Sequence, residues 1–240
     1  MPIPYTTEYA MSEFTLHGEY QVMQKLQHIP LTTVFDVGCN IGEWTRMVRS
    51  QQPSAQIHMF EIMPTTFQKL LRNNVLDDQI FPNSMGLSND IKQIPVKYVL
   101  DNDRVTTTVL EQEHHNSIVK NAYVVTGDSY CWNQPQSIEY IDYLKIDSEG
   151  HEYEVLQGFM GMLSQQRIGC IQFEYGNMNI LTKHLLIDFS KMLVPLGYVL
   201  GKMTPERVNF KDYHLSDEDF RGPDYMAVHI TRPEIIDALK

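Results

Sequence analysis

The run Val34-Phe35-Asp36-Val37-Gly38-Cys39-Asn40-Ile41-Gly42 constrains the fold of this chain more than any other segment, because an apolar strand passes straight into a two-glycine turn and then a helix. Gly38 can take backbone angles closed to other residues, Gly42 lets helix and ligand approach closely, and the helix start offers free backbone N–H groups. A second strand, Ile57-His58-Met59-Phe60-Glu61, ends in a carboxylate placed where a ribose diol could be held. Together the two segments predict a pocket for a nucleoside-containing cofactor.

The chain has 240 residues, of which 42% are hydrophobic, and this suits a single α/β domain over residues 1–240. Its formal charge of -11 and the lack of any basic run argue against a nucleic-acid partner. Cys39, Cys131 and Cys170 stand far apart with no CxxC pair, as small hydrophobes in a reducing compartment do. Residues 1–30 carry neither a signal-peptide pattern nor an apolar run of membrane-spanning length. The expectation is a cytoplasmic protein with no membrane span.

Residues 18–28 show helical spacing and predict a helix that flanks or lids the pocket, within an N-terminal flank of residues 1–30. From residue 31 the order alternates: strand 34–37, helix 43–52 stopped by Pro53, strand 57–61, a helix opening at Pro64, and strand 79–85. Residues 92–130 read as a β-rich insertion, with short strands near 94–100 and 105–110. The alternation resumes with strand 138–146, helix 152–163, strand 168–174 and helix 183–193. Two last strands, 197–203 and 225–230, have no helix between them and predict an antiparallel edge on a mainly parallel sheet. Ligands of such sheets sit at the carboxyl ends of the strands.

A nicotinamide-type fingerprint would need glycines where Asn40 and Glu43 stand, and there is no P-loop. S-adenosylmethionine fits what remains, since it has no phosphate to cradle. Asp36 and Asn40, with the turn glycines Gly38 and Gly42, would place its amino-acid end, and Glu61 would accept from the ribose hydroxyls. Leu87 and Ser88, in the loop after the third strand, would border the adenine.

The block from Tyr143 to Gly158 packs ionisable groups around one strand end. Asp147 would lie beside the reactive end of the cofactor, and His151 is the first choice of base, with Asp147 the second. Glu152 and Glu154 read as helix-dipole and solvent-facing charges. Glu174, at another strand end, could orient the acceptor or, with Asp147 and Glu149, hold a divalent cation; no ligand spacing favours a metal, and none is assigned. His114-His115 and Asp217-Glu218-Asp219 read as solvated loop and surface.

Phe35 to Thr45, Phe60-Glu61, Leu87-Ser88, Thr126-Gly127-Asp128-Ser129 and Leu144 to Gly158 occur in an order that resembles the FkbM-type S-adenosylmethionine-dependent methyltransferases. The resemblance spans residues 34–174. It implies a Rossmann-like class I methyltransferase fold and O-methylation of a hydroxyl on a sugar, glycan or small natural product. Two positions depart from the family: Cys39 replaces a small residue, and Ile62 stands where proline commonly follows the ribose carboxylate. A metal-assisted O-methyltransferase and a non-catalytic cofactor-binding module are the alternatives. The acceptor and the oligomeric state are not legible.

Overall fold

The computed structural model describes residues 14–73, 76–99, 106–110, 116–222 and 224–240. Five parallel strands form the centre of the main sheet: β1 (Thr33–Val37), β2 (Gln56–Phe60), β3 (Ile80–Asn83), β8 (Ile141–Ile146) and β9 (Ile168–Phe173). Three antiparallel strands, β10 (Tyr198–Met203), β11 (Val208–Phe210) and β12 (Tyr225–His229), complete the order β11-β10-β12-β9-β8-β1-β2-β3. The expected antiparallel edge is present, with β12 inserted between β9 and β10 and β11 as a further strand.

Successive residues of a strand face opposite sides, so a sheet covered on both faces needs unbroken apolar strands. Val34 and Phe35 show the division. Val34 joins Ile57, Tyr143 and Val228 beneath α1 (Glu19–Leu26), α2 (Glu43–Gln51) and α9 (Pro233–Leu239). Phe35 joins Leu144, Ile171 and Phe173 on the other face, which carries α5 (Glu152–Gln157), α6 (Met160–Ser164) and α8 (Leu186–Leu193). Helix α3 (Pro64–Arg72) follows β2, with proline in its first turn.

The β-rich insertion is a separate sheet of order β4-β7-β5-β6, with β4 (Gly86–Leu87), β5 (Lys92–Val99), β6 (Thr106–Thr107) and β7 (Ser117–Val125). Its own small core joins Ile94, Val96, Tyr98, Ala122 and Val124 to Met63. The β structure ends at Val125, earlier than the expected residue 130, because Thr126 caps α4 (Gly127–Trp132) by accepting from Ser129 N at 3.1 Å. The pair His114-His115 lies outside the described residues.

One expected helix is divided and another starts late. The helix expected over 152–163 breaks into α5 and α6 because Asp128 of α4 accepts from Gly161 N at 2.6 Å and Met162 N at 2.9 Å, starting a second helix there. The helix expected over 183–193 is α8 (Leu186–Leu193), which starts late; a separate short helix, α7 (Met178–Thr182), precedes it and ends at Lys183, whose φ is 63°. Glu218 accepts from Leu186 N at 3.1 Å and Ile187 N at 3.0 Å, capping α8 from a distant loop. The run Asp217-Glu218-Asp219 is therefore not a solvated surface. Asp217 is buried beside Lys211, Glu218 caps α8 and accepts from Tyr175 and Tyr213, and Asp219 pairs with Lys202 at 2.6 Å. Among the described residues no helix is long and apolar enough to cross a membrane.

Strand order reverses at β1, which lies between β2 and β8, and the crevice at that point is bounded by Gly38 and Asp147. Gly38 has φ 79°, and a Cβ there would stand 1.7 Å from the Asp147 carbonyl oxygen. Gly38→Ala is expected to destabilise the chain by about 3 kcal/mol or more, since left-handed strain adds to a backbone clash. Urea denaturation measures this; an unchanged midpoint would show that the crossing can relax.

Candidate active site

A cavity of about 330 Å³ opens at the carboxyl ends of β1, β2, β8 and β9, within the range of small-molecule sites. Its walls include Gly38, Asn40, Glu61, Leu87, Asp147, His151 and Glu174. Asp36, Gly42 and Ser88 are set back from this surface, and their contacts explain why. Asp36 is wholly buried, accepts from Thr45 Oγ1 at 2.6 Å and has Oδ1 at 3.9 Å from Lys145 Nζ. It braces the turn and a lysine from behind. Gly42, at φ 84°, precedes α2 and closes the turn through its N–H to Cys39 O at 2.8 Å.

Gly38 N and Cys39 N both donate to Phe60 O at 3.0 Å, so the β1 turn is fastened to the end of β2. Glu61 follows directly, 5% exposed, with Oε1 accepting from Met63 N at 2.8 Å. The carboxylate is thereby held at the cavity edge opposite Gly86 and Leu87. Lys145 reaches the same region from β8 and pairs with Asp147 at 2.9 Å, its ammonium 5.6 Å from the Trp44 ring centroid. Burial opposes its charge, but Asp147, Asp36 and Glu19 outweigh burial and raise its pKa.

The turn after β8 is built by Glu152. Its carboxylate accepts from Ser148 N at 2.8 Å, Ser148 Oγ at 3.0 Å and Gly150 N at 3.1 Å. At 2% exposure Glu152 is not the solvent-facing charge expected, because the left-handed residues Glu149 (φ 53°) and Gly150 (φ 101°) curl the turn over it. Glu154 instead lies between two imidazoles, 3.8 Å from His151 Nδ1 and 3.1 Å from His184 Nε2. Asp147, Glu149 and Glu174 offer oxygens that all lie within 4.8 Å of one another. Burial, then Asp147 and Glu149, hold the Glu174 pKa well above the ordinary carboxylate range.

His151 is held from both sides. Ser88 Oγ, wholly buried and 3.4 Å from Asn89 Oδ1, lies 2.9 Å from His151 Nε2. On the other side His151 Nδ1 lies 3.3 Å from Thr108 Oγ1. Burial pushes the His151 pKa below its ordinary 6.5, against the opposing pull of Glu154.

Several wall residues had no local signal. Glu19 of the N-terminal flank and Asp224 before β12 both accept from Gln172 Nε2, at 2.7 and 2.5 Å, while Tyr143 donates to Gln172 Oε1 at 2.6 Å. Phe14 and His17 join them, so the N-terminal flank does border the cavity. Thr106 and Thr108 come from the insertion. Lys145 could have been found, because it shares a strand face with Asp147 two residues on.

Strand order, the glycine turn after β1, the acid after β2 and the acidic turn after β8 are those of the class I methyltransferase fold. The methyltransferase FkbM domain matches residues 36–188, and the chain belongs to that family. It is 28% identical over 153 residues to the methyltransferase sdnD of Sordaria araneosa, a match covering 52% of this chain and 59% of that one. The fold is similar to that of methyltransferase FkbM from Methylobacillus flagellatus, with TM-score 0.51 and 15% identity over 83% of this chain and 44% of the other. A candidate caffeoyl-CoA O-methyltransferase from Staphylococcus aureus gives TM-score 0.50 and 10% identity over 94% and 92%. The chain thus spans less than two thirds of the length of sdnD and of the Methylobacillus protein.

Removing the Glu152 carboxylate leaves buried N–H groups without an acceptor. Glu152→Ala is expected to lower stability by about 3 kcal/mol in urea unfolding, with Glu152→Gln losing less. Equal losses would show that the carboxylate does not organise the turn. Stability should also depend on pH. Burial pushes Glu19 up to about 8 and Glu152 to about 7, from 4.5, so above pH 4.5 the folded chain binds more protons than the unfolded chain. Their contribution is lost as pH rises toward those values. His58, lowered to about 4, and His151 oppose this only below 6.5. The melting temperature should therefore fall between pH 6.5 and 8, less steeply in Glu19→Gln; a rise over that interval would contradict the assignment.

Proposed function

We propose that this chain methylates a hydroxyl oxygen of a small-molecule or glycan acceptor, using S-adenosylmethionine held at the β1 turn. The observation that carries the reading is His151, a largely buried imidazole on the wall of the cavity that also receives Gly38, Glu61 and Asp147. The donor set suits the cofactor: a glycine turn with no phosphate cradle, a fixed carboxylate for a ribose diol, and the apolar Leu87 beside the adenine position. Asn40 borders the amino-acid end, while Asp36, Gly42 and Ser88 act through the residues they brace.

When bound, S-adenosylmethionine supplies a methyl group activated by its sulfonium. The acceptor oxygen would bond to that methyl carbon as the carbon–sulfur bond broke, the electron pair of that bond leaving with sulfur. His151 takes the hydroxyl proton, and Glu154 Oε2, 3.8 Å from its Nδ1, stabilises the resulting imidazolium. Asp147 and Glu174, on adjacent strand ends, orient the acceptor. Positioning supplies much of the rate.

A labelled-methyl assay against cell extract, with mass identification of the product, needs no prior choice of acceptor. The reading predicts an O-methyl product; an N- or C-methyl product, or none, defeats it. Calorimetry is expected to show that Glu61→Ala weakens S-adenosylmethionine binding about tenfold or more, as loss of a charged hydrogen-bonding partner does. His151→Ala should keep that affinity and lower turnover by about 10²–10⁴-fold. The acid limb of the rate profile should lie below pH 6.5 and disappear in His151→Ala; full activity in that variant would remove His151 as the base.

A further inference from the structure

We propose that Asp147, Glu149 and Glu174 form a binding site for a hard divalent cation on the acceptor side of the cavity. Asp147 and Glu174 each follow the last residue of a strand, and those last residues, Ile146 of β8 and Phe173 of β9, are paired neighbours in parallel register. The sheet therefore delivers the two carboxylates side by side. Glu149 is returned toward them by its left-handed backbone, and Thr107 Oγ1 fixes that backbone by donating to Glu149 O at 2.6 Å. Their oxygens lie within 4.8 Å of one another, close enough for three ligands of one cation to gather with small side-chain adjustments.

A second observation is independent of this clustering. Glu174 lines the cavity, yet its Oε2 is sealed from solvent and accepts no hydrogen bond. Buried carboxylate oxygens without a donor are rare and call for an explanation, and a cation in the adjoining space supplies one. The cavity walls offer little else. Among the described residues they carry seven carboxylates and one lysine, Lys145, which is engaged by Asp147 and Asp36.

Three carboxylates leave open positions on an oxygen-preferring cation, which water and neighbouring oxygens of an acceptor would fill. The ion would then help align the hydroxyl that His151 deprotonates. This role for the ion rests on the proposed function, but its binding can be tested without an acceptor.

The test is titration of the EDTA-stripped full chain with Mn²⁺ alone, followed by electron paramagnetic resonance, with Mg²⁺ as competitor. One saturable Mn²⁺ site displaced by Mg²⁺ is expected. Since even outer-sphere partners change metal affinity by about 10–100-fold, loss of a direct ligand in Glu174→Gln should weaken Mn²⁺ at least that much. Glu149→Gln gives a second readout should Glu174→Gln fail to fold, as judged by its melting curve. Absence of a saturable site, or wild-type affinity in the folded variants, overturns the proposal. Calorimetry with S-adenosylmethionine on the same samples separates the two claims. A chain that binds the cofactor but no Mn²⁺ keeps the methyltransferase reading and loses the cation site. A chain that binds Mn²⁺ but not the cofactor does the reverse.

Discussion

Everything at the carboxyl end of this sheet depends on the approach of Gly38 to the carbonyl of Asp147, where a Cβ would come within 1.7 Å of that oxygen. The contact lets β1 and β8 stay paired up to their last residues, with Asp147 N donating to Val37 O at 3.0 Å. Two turns then leave the sheet from almost the same point. One carries Asn40; the other carries Asp147, Glu149 and His151. A side chain at Gly38 would force the turns apart and enlarge the crevice between them.

The second determinant is electrostatic. Carboxylates crowd the cavity and the turns behind it, and several devices hold them. Asp36 and Asp147 share Lys145, Glu152 is buried against backbone N–H groups, and Glu19 and Asp224 share the amide of Gln172. Burial penalises the charged forms, which is why Glu19, Asp36, Glu152, Glu174 and Asp224 all have raised pKa values. Such a wall favours cationic and neutral ligands over anionic ones. A sulfonium cofactor and a hydroxylated acceptor fit it on the same ground.

The β1 turn, Glu61 and the Asp147 block were legible because their signals are local: an apolar strand, glycine where left-handed backbone is needed, and an acid directly at a strand end. The family resemblance rested on the same segments, which lie within the matched FkbM domain. Glu152 was misread because an acid at a helix start usually interacts with the dipole. Nothing in its immediate sequence says that the preceding turn will close over it. The run from Asp217 to Asp219 was misread for a similar reason, since the backbone it caps, at Leu186 and Ile187, is about thirty residues earlier.

By itself, then, the amino-acid order determined an alternating α/β chain, a two-glycine turn after β1 and the acids at the ends of β2 and β8, since periodicity and backbone preference act over a few residues. Only the tertiary structure decided what surrounds them. It set Asp36 and Ser88 behind the wall, placed Glu19 153 residues away in sequence against Gln172, and brought Asp147, Glu149 and Glu174 together. The physical reason is that burial and charge proximity arise from packing of whole elements, so a carboxylate's role depends on neighbours its own segment does not contain.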